Sequence, residues 1–434
     1  MNQVMPESEA PAPAIAGFSG WWMIALAFLL YGFGMAPAYY GWGFLAPEIM
    51  AEIDLSREQV GNTFGLFTLT FALTSPLAAA AILRVGLRPV IAIGAVIASI
   101  GFEWTARAST VGEFLFAYSV LGGIGIGLTT LLPAQLLPVN WFRQYRARAT
   151  AVILSGAAVV GAGVPTVANW LVDAYDWRMV WHVIAAVMLL VGTTAAVFLR
   201  THPRDLGQFR DGILPYSESF TDEAGDDDGR DAESGGFEDE GPSIRKILLD
   251  PRFLFVTLAC LSNAVPWRVV TAHGRLHLED LGFGAALAAG ILGVRVGVSG
   301  AGRLVGGVGD FLDPRGVLGL SLIANALGLM GLAFATTSTA GYFAIALLGA
   351  GYGVAFTNEP VVVAHVFGAR AFVSLNGIRL ALTGVFGWLG PRWTGAVADA
   401  TGSYSTSFIA LSGLCLVGAI SLVFCRPMVE SKGA

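Results

Sequence analysis

Charge is what this chain has least of. Asp, Glu, Lys and Arg make up 13% of its 434 residues, against about 25% in an ordinary soluble domain. Lysine is nearly missing, with Lys246 and Lys432 alone, and no basic patch exists on which a nucleic acid would bind. Cysteine is scarce too: Cys260, Cys415 and Cys425 lie in or at the ends of apolar stretches. No CxxC pair or His/Cys ligand spacing occurs, which excludes a zinc ribbon, a redox pair or a disulfide framework. Neither HExxH nor GxSxG is present, so hydrolytic chemistry lacks its usual nucleophile and base. No catalytic residue, metal or cofactor is expected.

What the chain has in abundance is apolar sequence. Hydrophobic residues account for 55%, and the mean hydropathy is +0.67. Twelve apolar segments can be counted: 20–46, 59–83, 89–106, 112–138, 148–172, 177–199, 252–272, 282–309, 316–335, 340–367, 371–398 and 404–425. Each approaches or exceeds the ~20 residues a membrane-crossing helix needs, since a backbone in lipid must satisfy its own hydrogen bonds.

The chain is also built twice. Gly123, Gly125 and Gly127 recur 226 positions later as Gly349, Gly351 and Gly353; the same offset takes Gly161 to Gly387, Pro165 to Pro391 and Asp173 to Asp399. A Gly-x-Gly-x-Gly run without a preceding strand is a helix-packing device rather than a nucleotide loop. The expected fold is therefore an all-α integral membrane protein of 12 transmembrane helices in two pseudo-symmetric six-helix bundles. Its expected divisions are a tail at 1–19, a first bundle at 20–199, an acidic and partly disordered linker at 200–251, a second bundle at 252–425 and a tail at 426–434.

Cationic loop residues set the orientation. Arg84, Arg88, Arg143, Arg146, Arg148, Arg200, Arg204, Arg245, Lys246 and Arg426 fall on one side, against Arg57, Arg107, Arg178 and Arg275 on the other. Both termini and the linker are thus expected in the cytoplasm. The absence of Lys or Arg before Gly20 argues for a first span that is retained rather than cleaved. High Arg and Ala usage suggests a GC-rich bacterium, and hence its inner membrane. A monomer surrounded by lipid is expected.

Ionisable groups deep in spans carry the chemistry. An arginine at the centre of a span costs about 2.5–3.5 kcal/mol on insertion scales. Four arginines incur this cost: Arg268, Arg295, Arg303 and Arg379. Guanidinium forks suit carboxylates, and a water-poor cavity strengthens the pairing. Arg295 and Arg303 lie eight positions apart, about 80° around a helix, so both can face one cavity. Arg379 serves either as an anion ligand or as the structural partner of Glu359. Arg268, nearer the outer face, is read as a gate or salt bridge. Glu359 is the candidate for taking up a proton during transport or, alternatively, one half of a fixed ion pair.

Several motifs resemble the major facilitator superfamily. Gly306-Gly307-Val308-Gly309-Asp310 followed by Pro314-Arg315 is similar to its loop signature, which implies a gating role for Asp310. In the first-half counterpart Leu83 stands where the acid is expected, although Arg84, Gly86 and Arg88 remain. Trp141-Phe142-Arg143, His202-Pro203-Arg204-Asp205-Leu206-Gly207, the His273/Asp280/Gly282 turn and Gly390-Pro391 through Asp399 resemble, in order, the monocarboxylate and oxalate:formate transporters. The resemblance implies that Arg303, within Ser299-Gly300-Ala301-Gly302-Arg303, binds substrate. It also implies that Tyr39 and Tyr40, within Tyr39-Tyr40-Gly41-Trp42, line the pocket. The monocarboxylate branch's helix-one lysine is absent, with Ala38 and Tyr39 in its place, and Ser299 stands where its helix-eight aspartate is expected.

The expected function is secondary active transport of small organic anions, mono- or dicarboxylates, by alternating access, coupled to protons or to anion exchange. The alternatives are a bulkier, zwitterionic or sulfonated solute, or a ligand sensor that does not transport.

Overall fold

The computed structural model describes residues 17–212, 247–306 and 312–425. Asp310, most of the acidic linker and nearly all of both tails lie outside the described residues.

Among the described residues twelve long helices follow one another. The first six are α1 Gly20–Ile53, α2 Arg57–Val85, α3 Leu87–Arg107, α4 Val111–Trp141, α5 Arg146–Ala174 and α6 Trp177–Phe198. The second six are α7 Pro251–Asp280, α8 Ala285–Val305, α9 Pro314–Ala333, α10 Ser338–Phe367, α11 Ala369–Thr401 and α12 Ser405–Ser421. Eleven are long and apolar enough to cross a membrane. The remaining one, α11, is 33 residues long and carries Arg379 and Arg392.

Local chemistry starts and stops these helices. At α2 a capping box is formed: Gln59 N–H donates to Ser56 Oγ at 3.2 Å, and Ser56 N–H to Gln59 Oε1 at 2.9 Å. Asp250 caps α7 and Asp313 caps α9 through their carboxylates. Arg315, bonded to Asp313, holds that carboxyl below its ordinary range. Prolines inside α1, α2, α5, α7, α10 and α11 are tolerated where neighbours repair the freed carbonyl groups. Pro266 cannot donate to Ser262 O; the thiol of Cys415 donates instead, at 3.1 Å. That cysteine is a buried structural group.

The helices α1 and α7 run on past their apolar stretches, to Ile53 and Asp280. Those extra turns carry Glu48, Arg275 and Asp280, which find partners across the molecule. The two halves meet along α1 with α7, α2 with α11 and α5 with α8. In the first half α4 opens into a π-helical stretch, Leu115–Gly122, where Tyr118 stacks between Trp42 and Phe67 with ring centroids 4.7 Å away on each side. A π-helical turn shifts the register of the side chains beyond it. Tyr118 thereby also reaches Ala38 O of α1, at 3.1 Å.

Candidate functional site

Arg295 lies in the middle of α8 and is 2% exposed. Two glycines of α10 allow it to sit so deep. A Cβ on Gly349 would lie 2.5 Å from Arg295 O, and one on Gly353 2.2 Å from Ser299 O. The second copy of the repeated glycine motif thus brings the α10 backbone onto the α8 backbone at this level. The Arg295 guanidinium lies over the Trp267 ring, 4.2 Å from its centroid. Its Nη1 donates to Trp267 O at 3.2 Å and its Nη2 to Thr271 Oγ1 at 2.9 Å, while Nε–H has no partner among the described residues. No carboxylate pairs with it among the described residues.

Arg303, two turns on, donates from Nη1 to Leu154 O of the first half at 3.3 Å and lies over Phe356. Its Nε–H is likewise buried without a partner among the described residues. Arg268 on α7 donates to Thr383 O at 2.6 Å, and it too has no carboxylate partner among the described residues.

Tyrosines link the three cations. Tyr40 lies within electrostatic reach of Arg303 and Arg295, Tyr39 of Arg268 and Arg295, and Tyr352 of Arg303 and Arg268. Arg295 and Arg303, the pair expected to share a face, both act electrostatically on Tyr40. The rings form one wall: Tyr39 packs edge-on against Tyr40 and Phe64, and Trp267 stacks on Tyr352 with centroids 3.8 Å apart. The first half supplies Tyr39, Tyr40 and Phe64, and the second supplies the guanidinium groups. Such an arrangement presents hydrogen-bond donors and aromatic edges of the kind that suit an anion.

Arg379 does not join this cluster as an unpaired cation. It is ion-paired with Glu359, and both side chains are under 10% exposed. Glu359 accepts a second bond from Asn263 Nδ2 at 2.7 Å, and Asn263 Oδ1 accepts from Asn325 Nδ2 at 3.0 Å. Four helices, α7, α9, α10 and α11, are tied through this one buried network. Asn263 and Asn325 have no charge to draw attention in the sequence, and only their place deep in a span marks them.

A second charged group, unseen in the sequence, closes one end of the molecule. Arg275 is 4% exposed; it pairs with Glu48 of α1 at 2.8 Å and with Glu279 at 2.7 Å. Arg57 pairs in a fork with Asp280, and Arg392 bonds Glu58 at 2.8 Å. The carboxylate of Asp399 accepts the backbone N–H groups of Arg57 and Glu58, at 3.0 and 2.8 Å. Behind them His273 donates to Pro391 O at 2.8 Å, so its other nitrogen faces Tyr404 OH at 3.3 Å. Among the described residues, most side-chain bonds between the halves gather at this end; Arg303 to Leu154 O lies elsewhere. Arg268, expected as a gate or salt bridge, has no carboxylate partner among the described residues, whereas Arg275, seven residues along α7, has two.

Comparisons with known proteins agree with this architecture. The chain is 24% identical to monocarboxylate transporter 13 of Rattus norvegicus, over 93% of its own length and 89% of the relative's. It is 23% identical to an MFS-type transporter of Gibberella moniliformis, covering 96% and 93%. Among solved structures, a bacterial homologue of the human lysosomal transporter Spinster, described as inward-facing and unoccupied, superposes with a TM-score of 0.71 at 17% identity, covering 95% and 96%. The nucleoside transporter NupG gives 0.68 at 15%, covering 94% and 99%. Relatives and structural neighbours alike are membrane transporters rather than enzymes. The sequence profile of the Major Facilitator Superfamily matches residues 38–309, well over half of the chain, and this protein therefore belongs to that superfamily of multi-pass membrane transporters.

Proposed function

We propose that the protein is a secondary active transporter of small organic anions, mono- or dicarboxylates, which it carries by alternating access. The observation that supports this most is the cluster of Arg268, Arg295 and Arg303 at the seam, each without a carboxylate partner among the described residues. Buried unpaired cations resist the approach of two low-dielectric surfaces. A carboxylate between them removes that resistance, so the halves close around a loaded site more readily than around an empty one. Tyr39 and Tyr40 add hydroxyl donors from the opposite half. Glu359 is the candidate for proton coupling, through release of Arg379.

In this reading the halves at 20–199 and 252–425 are the moving bodies, and 200–251 connects them. Both termini face the cytoplasm of a cell whose inner membrane holds the chain as a monomer. The end fastened by Arg57, Glu48 and Arg275 is then the outer face, and the conformation opens inward.

A second reading, a bulkier aromatic acid, is favoured by the Trp267–Tyr352 stack and by the Tyr39, Tyr40 and Phe64 rings beside the cations. Uptake into liposomes separates the two. Purified wild type is compared with Arg295→Ala, Arg303→Ala and Arg379→Ala for pyruvate, oxalate, succinate and benzoate. The proposal expects loss of carboxylate uptake in Arg295→Ala and Arg303→Ala. Undiminished uptake in all three variants would refute it.

A further inference from the structure

Arg295 is held on three sides, and the hydrogen bonds and ring contact that hold it among the described residues come from one turn of α7. The Trp267 ring supports the face of the guanidinium, Trp267 O takes Nη1, and Thr271 Oγ1 takes Nη2. The support is itself fixed. Tyr352 covers the other face of Trp267, nearly parallel at 11°. The Thr271 hydroxyl donates to Trp267 O at 2.7 Å. Because its one proton is committed there, its lone pairs are what it offers to Arg295. The side chain that results is almost fully buried and clamped in orientation, with an Nε–H that has no hydrogen-bond partner among the described residues.

We infer that Thr271 and Trp267 are positioning residues that aim the Nε edge of Arg295 at the anion. The inference rests on the function proposed above and adds which edge of which cation receives the ligand. A carboxylate that approaches side-on takes Nε–H together with a remaining Nη proton, the fork geometry that makes arginine selective for planar anions. An arginine free to rotate would have to be ordered at each binding event. One held by a ring, a carbonyl group and a hydroxyl has little rotamer freedom left to lose. Neither Thr271 nor Trp267 needs to touch the substrate to act in this way.

The test is ligand binding by the purified full chain, measured by thermal shift and titration with pyruvate, oxalate, succinate and benzoate, followed by uptake kinetics for whichever probe binds. Thr271→Val keeps the shape but removes the acceptor. It is expected to raise both Kd and KM about tenfold, the order of one charge-assisted hydrogen bond. Its kcat and its ligand-free melting temperature should stay near wild type. Thr271→Ser restores the acceptor and should bind within about twofold of wild type. Should the valine variant not fold, Thr271→Ala makes the same deletion with less bulk. Wild-type affinity in the valine or alanine variant, or a serine variant as weak as valine, overturns the positioning role and leaves the transport proposal standing. A wild type that binds none of the probes overturns both.

Discussion

Arg379 and Glu359 neutralise one another inside the second half, and Glu359 gives its other oxygen to Asn263. A buried pair of this kind is held as much by the cost of breaking it as by its own attraction. Removing one partner strands a charge at about 3–5 kcal/mol, whereas replacing both by apolar groups is often neutral. Arg379→Leu and Glu359→Leu are therefore each expected to lower the melting temperature in detergent, and the double variant to recover most of the loss. Simple addition of the two losses in the double variant would mean that the residues do not act as a pair.

The same pair bears on coupling. If transport protonates Glu359, Glu359→Gln fixes the uncharged form and keeps an oxygen for Asn263. Uptake driven by a pH gradient should then fall at least about tenfold, while exchange of internal for external anion continues. Loss of both modes would assign Glu359 to substrate binding or to folding, and retention of both would remove it from the mechanism.

Much of the architecture is legible in the sequence. Twelve apolar stretches and a 226-residue internal repeat are properties of a single line of text, because the demands of lipid on a backbone are local. The deep arginines were legible for the same reason: Arg295 and Arg303 stand out against apolar neighbours. The pairing of Arg379 with Glu359, two residues on adjoining helices, was one of two open readings. The seam was not legible. Arg57 meets Asp399 across 342 positions, and Arg275 meets Glu48 across 227. These residues sit near helix ends, where a charge needs no special reason, so nothing in their spacing marked them as partners.

The seam predicts a graded response. Arg275 is buried and doubly paired, whereas Arg392 and Glu58 are 47% and 39% exposed. Exposed pairs contribute about 0–1 kcal/mol and buried ones several times more when broken. Asn62, which accepts from Trp388 Nε1 at 2.9 Å, lies at this seam, and the native cysteines are buried. Labelling of Asn62→Cys by a membrane-impermeant maleimide reports opening. Arg275→Ala should speed it strongly, Arg57→Ala less and Arg392→Ala hardly at all. Equal rates in the three would show that these pairs do not hold the end closed.

Steric closeness at the seam gives the sharpest expectation. A Cβ on Gly43 of α1 would lie 1.6 Å from Thr271 O, a distance no relaxation of a flexible side chain can relieve because the obstacle is backbone. On Gly41, two residues earlier, the nearest atom is the Ile184 Cδ1 methyl at 3.7 Å, an ordinary contact. Gly43→Ala should therefore prevent the halves from meeting at this end and leave the chain open there. Gly41→Ala should behave as wild type. Maleimide labelling of Asn62→Cys is expected to rise several-fold in the Gly43 variant and to stay constant in the Gly41 variant. A transporter that must close this end in each cycle loses turnover along with closure, so carboxylate uptake by Gly43→Ala should fall by about tenfold or more. Unchanged labelling with normal uptake would mean that α1 and α7 need not touch at Gly43 during the cycle.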